Sequence, residues 1–166
     1  MNENRRPALR ILVPIDFSDC SRAAVDWAVR HANAFVPSEL TFLHVIERTT
    51  GDDDLLRPAA LAELESDAEQ MKDLATVEMK NALAGRPLAP EVSVRYAVAH
   101  GKAYVEILKA ASQIGADLVI LGTHGRTGLE RLLIGSVAER VVRGAPSTVI
   151  TVKPKSAAAP NAAPAS

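Results

Sequence analysis

Two glycines three residues apart, Gly122 and Gly125, precede a glycine-serine pair, Gly135-Ser136, in the run Gly122-Thr123-His124-Gly125-Arg126-Thr127-Gly128-Leu129-Glu130-Arg131-Leu132-Leu133-Ile134-Gly135-Ser136. Glycine lets a backbone approach an anion with no Cβ in the way, a helix start offers N–H groups without intrahelical partners, and a serine hydroxyl adds a donor. These residue types in this order can hold phosphate without any net positive charge. The same glycines also suit tight turns in an α/β loop, so the residues alone leave both readings open. A second chemical group stands far away in sequence: Asp16 follows the apolar run Arg10-Ile11-Leu12-Val13-Pro14-Ile15.

Two phosphate motifs are excluded by spacing. The Walker A pattern G-x-x-x-x-G-K-[ST] fails at Gly101-Lys102, which has Tyr96 in place of the first glycine and is followed by Ala103. The dinucleotide fingerprint G-x-G-x-x-G fails too, since Gly122, Gly125 and Gly128 are evenly spaced and follow the fourth expected strand rather than the first. A dehydrogenase is therefore not expected.

The elements that must position these groups follow from hydrophobic pattern. The near-continuous apolar run ending at Pro14 suits a strand covered on both faces, as in a parallel sheet, with Pro14 near its end because proline donates no ladder bond. Asp16 then projects from a strand's C-terminal edge. Ser18 can cap a helix carrying Ala24, Trp27, Ala28, His31 and Phe35 at helical spacing, ended by Pro37. Thr41 to Ile46 reads as a second strand, and Leu61, Leu64, Ala68, Met71, Ala75, Met79 and Ala82 trace one face of a long helix stopped by Gly85 and Pro87. Val92 to Val98 gives a third strand, and Val105, Leu108 and Ser112 with Ile107 and Ala111 a third helix. Asp117 to Gly122, Ser136 to Arg143 and Thr148 to Val152 complete a β-α-β-α-β-α-β-α-β order. With right-handed crossovers this predicts an α/β fold: one domain, a doubly wound five-stranded parallel sheet with helices on both faces, binding ligand at the strands' C-terminal ends.

Composition narrows the function classes. The 166 residues suit one domain over residues 9–153, flanked by a flexible start at 1–8 and a disordered Ala/Pro tail at 154–166. Nineteen Lys and Arg against twenty Asp and Glu give a formal charge of −1, which provides no electrostatic case for nucleic acid or an anionic membrane. No apolar run approaches the about 20 residues of a membrane span. The single cysteine, Cys20, and the absence of a long apolar stretch in residues 1–12 are read as a cytoplasmic protein.

With its loop pattern complete, the chain resembles the nucleotide-binding branch of the universal stress protein family, whose motif is G-x2-G-x9-G-[ST]. Gly122, Gly125, Gly135 and Ser136 match every defined position. Leu12-Val13-Pro14-Ile15-Asp16-Phe17-Ser18 is similar to the family's first strand and aspartate, His44-Val45 to the end of its second strand, and Ala145-Pro146-Ser147-Thr148-Val149 to its last turn and strand. The likeness covers residues 8 to 153. It implies a Rossmann-like, adenine nucleotide alpha hydrolase-like fold with ATP across the strand ends. By the same carry-over Asp16 faces the nucleoside, the Val45 backbone the adenine and Gly122 the ribose, with Gly125, Gly135, Ser136 and the amide of Val137 on the phosphates. It further implies a homodimer through the final strand, 148–152, with unknown regulatory protein partners. One departure is Gly101-Lys102-Ala103, where relatives often place proline at the third position.

Other residues are read more plainly. His31, His44 and Trp27 are expected in the core, Cys20 as a small apolar residue, and Asp52-Asp53-Asp54 as a solvated loop lacking EF-hand spacing. His100 and His124 follow strands and could face the cleft, without carboxylate or cysteine at metal-ligand spacing. No dedicated metal site is expected, and Mg²⁺ would arrive with the nucleotide. Three readings of function remain: an ATP-binding regulatory module, a dimeric scaffold without nucleotide, and a slow ATP hydrolase. The last needs an oriented nucleophile and a group stabilising the transferred phosphoryl, neither found at a recognised spacing.

Overall fold

The computed structural model describes residues 7–47, 58–124 and 134–154, the side chains of 58–67 excepted. The chain runs β1 (Leu9–Pro14), α1 (Asp19–Ala34), β2 (Ser38–Ile46), α2 (Pro58–Leu83), β3 (Val92–His100), α3 (Ala103–Ile114), β4 (Leu118–Gly122), α4 (Ser136–Gly144) and β5 (Thr148–Val152). Every strand pair is parallel and the sheet order is β3-β2-β1-β4-β5. This is the expected doubly wound α/β sheet.

Burial on both faces explains the unbroken apolar character of β1. Successive side chains of a strand point to opposite faces, so Ile11, Val13 and Ile15 pack with Ala24, Val25, Ala28 and Met79 beneath α1 and α2. Leu12 points the other way, into a second core with Ile107, Ala111, Ala138 and Val141 of α3 and α4. Each such fully buried aliphatic side chain contributes about 1.5–3 kcal/mol.

Periodicity set the helices' existence better than their faces. In α3 the buried positions are Ile107 and Ala111, whereas Val105 and Ser112 lie toward solvent, because each sits about 100° or more round the helix from both of them. In α2, Ala75 and Met79 are buried while Met71 is exposed. Phe35 is also exposed, because α1 has already ended at Ala34, yet its ring stays at 4.6 Å from His31, itself stacked on Trp27 at 4.9 Å. The aromatic members of that stripe form a ridge along the flank of α1, in which Trp27 is partly buried and packs against the core while Phe35 faces solvent. Among the described residues β5 is an edge of the sheet.

Candidate functional site

The sheet order changes direction at β1: the chain builds outward to β2 and β3, then returns to lay β4 and β5 on the other side. A crevice forms where crossovers leave in opposite directions, at the strands' C-terminal ends. Pro14 widens it. Arg10 accepts from Asp117 N–H and Ile15 N–H donates to Leu43, so even-numbered residues of β1 face β4 and odd ones face β2. The donor that Pro14 lacks is therefore one that would have bound β4, and the paired register between these strands is Ile11 with Leu118 and Leu12 with Val119. Above it lies a cavity of about 550 Å³, within the ordinary range for small-molecule sites.

One wall is the β1–α1 turn. Asp16 Oδ1 accepts from Ser18 N–H at 3.1 Å and from the Ser18 hydroxyl at 2.6 Å, while Ser18 Oγ in turn accepts from Ser21 N–H at 3.2 Å as the cap of α1. The same hydroxyl lies 3.5 Å from the carbonyl of His124 across the cleft. Ser18 thus fixes the carboxylate, starts the helix and touches the far wall. Ser18→Ala is expected to cost about 1 kcal/mol of stability by loss of the cap, read as a lowered midpoint in urea unfolding at unchanged slope.

The facing wall is the end of β4 with the start of α4. Thr123 is buried; its N–H donates to Val152 at 3.0 Å and its carbonyl accepts from Gly135 N–H at 2.8 Å, which pins the entry of α4 against the strand end. Gly135 is the cap residue of α4 and supplies no side-chain cap bond. The first helical bond runs from Glu139 N–H to the Gly135 carbonyl at 2.9 Å, so the amides of Ser136, Val137 and Ala138 have no intrahelical partner. Those amides and the Ser136 hydroxyl are donors suited to anionic oxygen. Beside them His124 places Nδ1 at 3.1 Å from Thr123 Oγ1, and its buried Nε2 has no hydrogen-bond partner among the described residues.

Leu43, His44, Val45, Ile46 and Glu47 of β2 and its exit form the third side, with Ala103 and Ile107 of α3. The turn that departs from the expected proline is closed differently here. Gly101 takes φ +141°, a region that favours glycine, and donates to Ile46 at 3.1 Å, while Ala103 N–H donates to Glu47 Oε1 at 3.0 Å. Proline at 103 would lack that N–H; alanine keeps it, and the Glu47 carboxylate caps α3 where Lys102 supplies no side-chain cap bond.

Of the residues singled out in sequence, Asp16, Val45, Gly122, Gly135, Ser136 and Val137 all line this one cavity. Gly125 lies outside the described residues. His124 lines the cavity, whereas His100 is exposed at the end of β3 and does not. His44, expected in the core, also lines it, and Glu47 and Met71 were not foreseen. Position at a strand end was the available signal for Glu47; the signal for Met71 was its place on the predicted helix stripe, which gave no hint of the cavity. Among the described residues no group of three or more His, Cys, Asp or Glu could hold a metal ion, and no helix is long and apolar enough to cross a membrane. Burial raises the Tyr96 phenol above its usual range, away from the cavity.

The sequence pattern described as the universal stress protein family matches residues 8–153. Over 158 residues the chain is 34% identical to universal stress protein MJ0577 of Methanocaldococcus jannaschii, spanning 88% of this chain and 95% of that one. The solved structure of universal stress protein UspA from Lactobacillus plantarum is similar at TM-score 0.64 and 28% identity, over 90% of this chain and 100% of that one. A universal stress protein from Archaeoglobus fulgidus, solved in complex with dAMP, shares the fold at TM-score 0.53 and 20% identity, over 87% of this chain and 98% of that one.

Proposed function

The chain belongs to the universal stress protein family, and from that premise we propose that it binds ATP in the cleft between β1, β2 and β4. The observation that carries this reading is the convergence of Asp16, Val45, Gly122, Gly135, Ser136 and Val137, scattered over the sequence, on one cavity of about 550 Å³. The chemistry of the two ends is suited to the two ends of a nucleotide. Asp16 offers an acceptor for ribose hydroxyls, the Val45 backbone and neighbouring Leu43 and Ile107 a partly apolar slot for adenine, and the first-turn amides of α4 with Ser136 a cradle for phosphate. Gly125 completes the motif by resemblance. The dAMP bound by the Archaeoglobus fulgidus relative supports an adenine nucleotide as the ligand class. Mg²⁺ would enter on the phosphates, since it is commonly held by phosphates, waters and only one or two protein groups.

The role is regulation in the cytoplasm. A bound nucleotide shifts the protein between states only by as much as it prefers one of them, and the element that receives it here is the start of α4, which leads directly into the edge strand β5. Pairing of β5 with a second copy, over 148–152, would make a homodimer and place the switch beside the interface; an open edge strand invites such pairing. Sedimentation through the micromolar range is expected to give the mass of two chains, and a single-chain mass at every concentration would remove the dimer from the proposal.

The deciding experiment is the nucleotide content of freshly purified protein, released by denaturation and separated chromatographically, followed by ATP titration of the stripped protein. Co-purified ATP or micromolar affinity is expected. No adenine nucleotide in either test would leave a dimeric scaffold in place of a nucleotide switch.

A further inference from the structure

His44 occupies an unusual place in the cleft. Its side chain reaches from β2 to the exit of β1, where Nδ1 lies 2.7 Å from the carbonyl oxygen of Ile15. A carbonyl only accepts, so Nδ1 must carry the proton. The face of the same ring holds Phe17, with centroids 4.7 Å apart. Phe17 has φ +65°, a left-handed conformation uncommon for a bulky residue. Such a residue persists where its surroundings hold it. Here the hydrogen bond to Ile15 and the ring contact to Phe17 grip the residues on either side of Asp16. Along its own strand His44 immediately precedes Val45, and both line the cavity.

We propose that His44 is a positioning residue that sets the distance between Asp16 and the Val45 backbone, and so the fit of the nucleoside half of the ligand. The inference rests on the nucleotide-binding reading above and adds to it a division of labour. The phosphate half is fixed by Thr123 and Gly135 through their own backbone bond and does not depend on His44. A change at His44 therefore acts on adenosine and ATP alike, and not on the polyphosphate by itself.

Two variants separate the hydrogen bond from the ring. His44→Phe keeps an aromatic face for Phe17 and removes the donor; His44→Asn carries an N–H one bond beyond Cγ, as Nδ1 is, and loses the ring. Calorimetric titration of the whole protein with ATP, adenosine and inorganic tripolyphosphate reads the effect, with circular dichroism melting as the control for folding. In His44→Phe the affinities for ATP and adenosine are expected to fall about tenfold, one lost hydrogen bond of ordinary strength, with tripolyphosphate unchanged. His44→Asn is expected to stay within about threefold of the wild type on the same scale.

Retention of ATP affinity in His44→Phe within twofold overturns the proposal, and so does an equal loss for ATP and tripolyphosphate, which would mark a general loosening of the cleft. Should His44→Phe fail to fold, the ring nitrogens of the wild-type protein decide by ¹⁵N spectroscopy. A protonated Nδ1 whose signal moves on adding adenosine but not tripolyphosphate is expected; a bare Nδ1, or no response to adenosine, overturns the assignment. A wild-type protein that binds neither ATP nor adenosine removes the nucleotide reading and this inference with it, an outcome distinct from binding that ignores His44.

Discussion

Replacing Gly135 by valine together with Ser136 by alanine is expected to abolish ATP binding, by about 100-fold or more, while leaving the fold intact. A Cβ added at Gly135 would stand 3.2 Å from the Thr123 carbonyl oxygen and 3.6 Å from His124 Cα. A single methyl group there is tight but requires shifts of only a few tenths of an ångström. Valine adds two further methyl groups at a position that already lines the cavity, so either the start of α4 or the ligand must move away. The backbone itself accepts the change, because Gly135 has φ −61° and ψ 152°, an ordinary extended conformation. Loss of the Ser136 hydroxyl removes a hydrogen bond to a charged group, worth about 1.5–3 kcal/mol, which alone is roughly a ten- to hundredfold effect. Gly135→Ala is the graded control and is expected to weaken binding by less than about tenfold. Calorimetric titration alongside thermal melting checks both variants. ATP affinity in the double variant within threefold of the wild type would mean that the phosphates are held elsewhere.

How much of this was legible in the sequence depends on whether a property is local. The continuous apolar stretch of β1 spoke for a strand buried on both sides, and Ile11, Leu12 and Val13, all fully buried, divide between two cores as that reading required. Ser18 was legible as a cap because capping is settled within four residues, and the structure gives the bond to Ser21. Pro14 announced its own strand end. The faces of α2 and α3 were less legible, since several stripes of small and medium apolar residues compete and the choice is made by what the sheet presents. Within the cleft, the glycine and serine positions and Asp16 stood out by type and spacing. His44 did not. A histidine inside an apolar strand looks like a core residue, and only the register of β2 against β1, Pro14 opposite Leu43, brings its ring to the Ile15 carbonyl. The reach of Glu47 to the amide of Ala103 is likewise a property of two segments far apart in sequence.

The connection of site and stability is closest at Gly122, which by resemblance lies beside the ribose. Its glycine identity is required by packing rather than by torsion. A Cβ built there would come within 2.7 Å of Cys20 Cβ, 2.8 Å of the Cys20 carbonyl carbon and 2.9 Å of Ser21 N. Real Cβ atoms essentially never approach so closely, and two of the three neighbours are backbone in the first turn of α1, so no rotamer change relieves the clash. Gly122→Ala is therefore expected to destabilise the protein by about 3 kcal/mol, the upper end of ordinary overpacking. For a chain of this size that lowers the melting temperature by roughly 6–12 °C, to be read by calorimetry. The damage is not confined to stability. The turn of α1 that must retreat is capped by Ser18, which also holds Asp16, so ATP affinity is expected to fall in the same variant even at temperatures where it is fully folded. Adding Cys20→Gly removes the 2.7 Å contact but leaves the backbone contacts at 2.8 and 2.9 Å, and so should recover only part of the loss. Complete recovery by Cys20→Gly would show that the side chain alone demanded a glycine, while a Gly122→Ala protein as stable as the wild type would show that α1 is free to withdraw from the strand end.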